Sequence, residues 1–285
     1  MKEFKIIECP RDAMQGIHEF IPTQKKIDYI QKLLSCQFDT LDCGSFVSEK
    51  AIPQMKDTKE VLKNLDLSKS KSKLLLIVAN LRGAKEAAEH ELISFVGYPF
   101  SISETFQLRN TNSNLNEAFS NLSEIQHECL KNNKKLVVYL SMGFGNPYGD
   151  IWNENLVLEW IEKLSSQLEI PILSLSDTIG CATKEQILSL FPQVLRNFPK
   201  VEVGAHLHVN PNNALSIIES VVESGCTRMD GAIKGFGGCP MASDSLTGNM
   251  PTEKVLDYLN SKNINHSVDM ENFKKAYSLS NKIFN

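Results

Sequence analysis

Short apolar runs rich in Val, Ile, Leu and Phe recur along the chain at positions 4–9, 38–43, 74–79, 92–97, 136–142, 172–177, 201–208 and 229–233. Each has the length of a strand, and unbroken apolar character suits strands covered on both faces. Between most of them, apolar residues return every three or four positions, the period of a helix with one buried face. Ile27, Ile30 and Leu34 make one such stripe; Leu115, Phe119, Leu122, Ile125 and Cys129 make another. Thr183, followed three residues on by Gln186, reads as a capping box. It opens a helix through Ile187, Leu190, Val194 and Phe198, in which Pro192 predicts a kink. Pro211 suits the first turn of a helix through Ala214, Ile218 and Val221, which Gly225 would stop. Only residues 81–91 separate the third and fourth runs, so a short helix or a single turn must suffice there.

Eight alternations of strand and helix imply parallel pairing, and eight units close a (β/α)8 TIM barrel without an edge strand. The α/β competitor, a doubly wound open sheet, usually carries a glycine-rich phosphate turn after its first strand. Here Cys9 is followed by Pro10, Arg11 and Asp12, which favours the barrel. The length of 285 residues fits one such domain over 1–285, with helices following strand eight. The Ser/Lys stretch 68–73 leads into the third strand, on the barrel face opposite the βα loops, and reads as a solvated loop.

Composition narrows the function classes. With 42% hydrophobic and 22% charged residues the chain is ordinary globular material. Its 30 Lys and Arg against 34 Asp and Glu, net charge -4, do not make a surface for nucleic acid. The longest purely apolar run is 74–79, far below the roughly 20 residues of a membrane helix. The N-terminus enters strand-like sequence without a leader, so a cytoplasmic location is expected. Seven cysteines without a Cys-x-x-Cys pair signal neither a disulfide framework nor a thiolate zinc site.

A barrel collects its chemistry just beyond the strand ends. Arg11 and Asp12 follow strand one, Asp42 ends strand two, Asp177 and Thr178 end strand six, His206 and His208 end strand seven, and Cys239 follows strand eight. Residues two apart on a strand share a face, so His206 and His208 would both enter the barrel mouth. Taken alone, such a pair is as well explained by packing as by a metal. With the Asp12 carboxylate, and Asn249 as a further oxygen, the set suits a divalent cation with open positions, Mg2+ or Mn2+ before zinc, although non-haem iron uses similar ligands. Residues 235–240 form a glycine-rich loop carrying Cys239, either a phosphate-contacting turn or a thiol acid whose thiolate Lys234 would favour. Arg11 would stabilise a developing oxyanion, and Asp177 is read foremost as orienting its neighbours.

Taken together, Pro10-Arg11-Asp12 with Gln15, Ser45-Phe46-Val47-Ser48 with Pro53-Gln54-Met55, Ser176-Asp177-Thr178-Ile179-Gly180, His206-Leu207-His208 and Gly235-Phe236-Gly237-Gly238-Cys239-Pro240 resemble the 3-hydroxy-3-methylglutaryl-CoA (HMG-CoA) lyase family, in colinear order over nearly the whole chain. The resemblance implies metal-dependent retro-Claisen cleavage of HMG-CoA to acetyl-CoA and acetoacetate, by a homo-oligomer, most simply a dimer. It places Asp12, His206, His208 and Asn249 as metal ligands and Arg11 on the thioester enolate. Cys239 falls on the loop cysteine and Ser45 near the acyl part, with Gln15 and Thr178 as further substrate-binding candidates. His206 or Asp12 would serve as base, with Asp42 and Asp177 among the catalytic carboxylates. Arg109 and Lys234 are candidates for the CoA phosphates. Asp42 replaces the family's usual Glu, Val209 a common Asp and Lys234 a small residue, and the stretch from Cys239 to Asn249 is one residue longer than usual. A synthase joining acetyl-CoA to a 2-oxo acid, a 4-hydroxy-2-oxo-acid aldolase and a non-catalytic CoA-binding barrel are the competing readings.

Overall fold

A computed structural model describes residues 3–238 and 247–284. Cys239 lies outside them. The first half of the barrel runs β1 (Lys5–Glu8), α1 (Pro10–Gln15), α2 (Thr23–Leu34), β2 (Thr40–Ser45), α3 (Thr58–Lys63), β3 (Lys73–Ile77), α4 (Leu81–Ala88) and β4 (Ile93–Ser101). It continues through α5 (Glu104–Thr111), α6 (Leu115–Lys131), β5 (Lys135–Ser141), α7 (Glu154–Gln167), β6 (Ile172–Asp177), α8 (Lys184–Asn197), β7 (Glu202–Val209), α9 (Ala214–Glu223) and β8 (Arg228–Gly231). A two-residue strand β9 (Gly248–Asn249), α10 (Thr252–Ser261) and α11 (Met270–Phe284) complete it.

The first eight strands pair in parallel in sequence order, and β1 against β8 closes the barrel. The short third unit is α4, capped by the Asn80 side chain accepting from the Gly83 N–H at 3.0 Å. The capping box of Thr183 and Gln186 forms as its spacing predicts, and α8 continues past Pro192.

Side chains pointing into the barrel divide it in two. From β3 to β6 most are apolar or aromatic, Leu75, Ile77, Phe95, Val137, Tyr139 and Ile172, with Ser141 and Ser176 above them at the mouth. On β7, β8 and the ends of β1 and β2 they are polar, and Gly204 leaves the space that the Arg228 side chain fills, since a Cβ there would lie 2.9 Å from Arg228 Cδ. The helices bury their apolar stripes against the outer face of the strands, as the 3.6-residue period requires.

Candidate active site

The turn from β1 into α1 sets the first group of residues. Pro10 opens α1, where its missing N–H costs nothing, and places Arg11, Asp12 and Gln15 over the barrel mouth. Helical spacing lets Arg11 Nη1 donate to Gln15 Oε1 at 2.8 Å, and the same nitrogen donates to the neighbouring Asp12 Oδ1 at 3.0 Å. The same guanidinium grips Asp42 at the end of β2, through Nε at 3.0 Å and through Nη2. The shorter carboxylate at position 42 therefore still reaches Arg11 with both oxygens. Of the five guanidinium hydrogens, four are committed to these partners, leaving one on Nη2 for a substrate oxygen.

On β7, His206 and His208 share the inward face, and with Asp12 they form a buried cluster whose ligand atoms lie within 4.8 Å of one another. Asp12 Oδ2 and both ring nitrogens of His208 are buried without a hydrogen-bond partner, a costly arrangement that a bound cation would relieve. Asp12 Oδ2 lies 3.8 Å from His208 Nε2. The donor set, one carboxylate and two imidazoles, fits a divalent metal. Burial alone would raise the Asp12 carboxyl, but Arg11 and the two histidines hold it well below the usual range. Burial pushes Asp42 up to about 6 despite Arg11.

Three features of this site were not read from the sequence. Asp230 on β8 accepts from His206 Nδ1 at 3.1 Å and fixes the ring, while Tyr139 packs edge-on against it at 5.1 Å. Strand β9 runs antiparallel to β7 and pairs Asn249 directly with His208. Its Nδ2 donates to Phe236 O at 2.8 Å, which leaves Oδ1 as the atom suited to a cation. Gly237 sits against α1 in the left-handed region, where a Cβ would lie 2.6 Å from Asp12 O and 2.8 Å from Ala13 Cα. The periodicity that locates strands says nothing of such long-range partners.

A cavity of about 380 Å3 opens above the cluster. Its polar side carries Arg11, Asp12, Gln15, Thr178, His206 and His208; its apolar wall carries Val47, Ile52, Val78, Ala79, Pro99 and Phe106. Thr178 Oγ1 donates to Met142 Sδ at 3.4 Å.

Other expected site residues lie elsewhere. Asp177 faces away: its carboxylate accepts from the backbone N–H groups of Ile179, Gly180 and Ala182 at 3.1, 2.9 and 2.7 Å. It shapes the turn that presents Thr178 and does not line the cavity, so the expectation of a catalytic carboxylate gives way to an orienting one. Ser45 is buried with an unpartnered Oγ and does not line the cavity, whereas Val47 does. Arg109 stacks its guanidinium over Tyr148 at 4.6 Å on α5. Lys234 turns toward α11, with Nζ 4.7 Å from the Tyr277 ring and bonded to Asn281. Neither cation lines the cavity. Val209 is buried in the core.

None of the described helices is long and apolar enough to cross a membrane. Among known proteins, the HMG-CoA lyase YngG of Bacillus subtilis is 32% identical over 273 residues, 94% of this chain and 88% of its own. A crystal structure of the Bacillus subtilis HMG-CoA lyase superposes with a TM-score of 0.92 at 31% identity, covering 99% of this chain and 94% of that one. An Acinetobacter baumannii HMG-CoA lyase, solved with coenzyme A and 3-methylmalate, gives 0.90 at 27% identity, covering 99% and 91%. The HMGL-like family model matches residues 4–279, and with this barrel and this cluster at its mouth the chain belongs to that family of carbon–carbon lyases.

Proposed function

We propose that the protein cleaves HMG-CoA to acetyl-CoA and acetoacetate at the cavity over Asp12, His206 and His208. The observation that carries this reading is the meeting of that carboxylate and imidazole pair with Arg11 on the floor of one cavity. Asp12, His206, His208 and the Asn249 oxygen would hold Mg2+ or Mn2+, hard cations suited to a mixed oxygen and nitrogen set. The cation supplies positive charge that makes a nearby hydroxyl more acidic.

The chain's own residues account for the remaining steps. Asp12 or His206 takes the proton of the substrate's tertiary hydroxyl. The bond between the carbon bearing that oxygen and the thioester α-carbon breaks, its electron pair passing to the thioester as an enolate while the hydroxyl carbon becomes the ketone of acetoacetate. The uncommitted Nη2 hydrogen of Arg11 stabilises the enolate oxygen, and the Asp42 grip keeps the guanidinium in place. A proton from Cys239 to the enolate carbon completes acetyl-CoA. Val47, Ile52 and Phe106 shield this space from water on the apolar side.

The test is incubation of metal-stripped protein with HMG-CoA, with and without Mg2+ or Mn2+, following both products. Metal-dependent appearance of acetoacetate and acetyl-CoA in equal amounts is expected. Consumption of acetyl-CoA with a 2-oxo acid, and no cleavage of HMG-CoA, would replace this reading by the synthase.

A further inference from the structure

Among the described residues, the most deeply buried carboxyl outside the site just described is Glu8, the last residue of β1, with no exposed surface. Its Oε1 accepts from the Ile233 N–H at 2.8 Å, and its Oε2 lies 2.6 Å from Thr252 Oγ1. These partners stand on either side of the glycine-rich segment. Ile233 begins the turn that follows β8, and Thr252 begins α10, directly after the stretch that carries Asn249. Backbone bonds between Ala232 and Met250 and between Thr252 and Ala232 hold the same two roots together, at 2.9 and 3.1 Å. Glu253 adds a second carboxylate contact, accepting from the Lys234 N–H at 2.8 Å.

The third connection is covalent. Glu8 is joined through Cys9 and Pro10 to Arg11 and Asp12, and the Cys9 N–H bonds to Gly231 O at 2.8 Å. One side chain thus relates three parts of the site: the Arg11–Asp12 turn, the incoming root of the loop and its outgoing root. The fit tolerates little displacement, because Gly237 already rests against the backbone of Asp12 with no room for a methyl group. Burial and the neighbouring Glu253 push the Glu8 carboxyl up to about 8, while it accepts from the Ile233 N–H and from the Thr252 hydroxyl. The titratable groups that sense it, Glu253, Tyr29 and Cys36, are all acids whose charge would oppose ionisation of a further acid.

We propose that Glu8 is a positioning residue for the lyase reaction, locking the two roots of the glycine-rich loop to each other and to the Arg11–Asp12 turn. The proposal rests on the lyase reading for its kinetic arm, but its structural arm is independent of the substrate. Glutamine keeps an amide oxygen for the Ile233 N–H and an amide group able to hydrogen-bond the Thr252 hydroxyl, whereas alanine removes both contacts and leaves the Ile233 N–H buried without a partner.

The experiment compares wild type, Glu8→Gln, Glu8→Ala and Thr252→Val. Turnover of HMG-CoA is measured with Mg2+ affinity, and alkylation of Cys239 by iodoacetamide is followed by peptide mass spectrometry. The expected result for Glu8→Ala is kcat at least 30-fold down, with KM and Mg2+ affinity within threefold and Cys239 alkylation at least fivefold faster. Glu8→Gln should stay within threefold of wild type in every measure, and Thr252→Val should fall between the two. If Glu8→Ala does not fold, Thr252→Val and Glu8→Gln carry the same comparison. Wild-type kcat and alkylation in Glu8→Ala or Thr252→Val, or a kcat loss that merely follows lost Mg2+ affinity, overturns the proposal. Failure of wild type to cleave HMG-CoA defeats the lyase reading instead, and alkylation still decides the role of Glu8.

Discussion

His206 presents its Nδ1 edge to Asp230, 3.1 Å away on the adjacent strand, and so has only its Nε2 edge free to serve a cation. A carboxylate behind an imidazole fixes the ring orientation and raises its basicity as a ligand. Replacing Asp230 with Ala should therefore weaken divalent-metal affinity roughly 10- to 100-fold while leaving Asp12 and His208 in place. Isothermal titration of metal-stripped protein measures this directly, and unchanged affinity would separate Asp230 from the metal's support.

The division of labour between the β7 histidines and the loop cysteine is checked by two variants. His208→Ala removes a ligand and should abolish measurable metal binding, with activity lost as a consequence. Cys239→Ser should keep metal affinity within about threefold and lose roughly 100-fold or more in kcat, the scale of a positioned general acid. Equal metal loss in both variants would undo that assignment.

Gly237 is a purely geometric test. An alanine methyl there would meet the backbone of Asp12 and Ala13 at under 3 Å, at a positive φ that L residues rarely adopt. Gly237→Ala should lower kcat at least about tenfold through displacement of the loop from α1, a loss on the scale of the backbone strain in such positions. Gly149, also at positive φ but with nothing within 4 Å of its Cβ position, is the control, and Gly149→Ala should change kcat less than about twofold.

Glu8 also governs stability against pH. Its folded pKa of about 8 exceeds its ordinary value of 4.5, so the folded state keeps a proton that the unfolded chain releases. Below pH 4.5 both states are protonated and no penalty exists. As pH rises from 4.5 to 8 the penalty on folding grows, and it is complete above 8. It amounts to a few kcal/mol, at about 1.4 kcal/mol per unit of pKa difference. Glu8→Gln cannot ionise, so thermal melts should show the variant gaining on wild type from pH 5 to pH 9. A constant difference across that range would mean that Glu8 does not retain its proton.

The barrel was legible because each buried strand writes itself as an apolar run and each outer helix as a 3.6-residue stripe. Strand β4 extends to Ser101, beyond the apolar run ending at Gly97, and β9 has only two residues, too few for any periodicity. The meeting of Asp12, His206 and His208 followed from strand parity and from the position of βα loops. Asp230 and Glu8 escaped notice because their significance lies in partners 24 and more than 200 residues away. Asp177 is the opposite case, and the orienting role read first for it agrees with its place in the structure. An acid at a strand end looks catalytic, but the backbone of the next turn consumes it locally.

Closure of the barrel joins β1 to β8, and the polar half of its interior straddles that seam. Asp12 follows the first strand, whereas His206, His208 and Asn249 lie more than 190 residues further along the chain. A chain whose last strands have not docked offers Asp12 without the two imidazoles of β7. A cation held by that cluster would therefore report that the first and last strands of the barrel have come together.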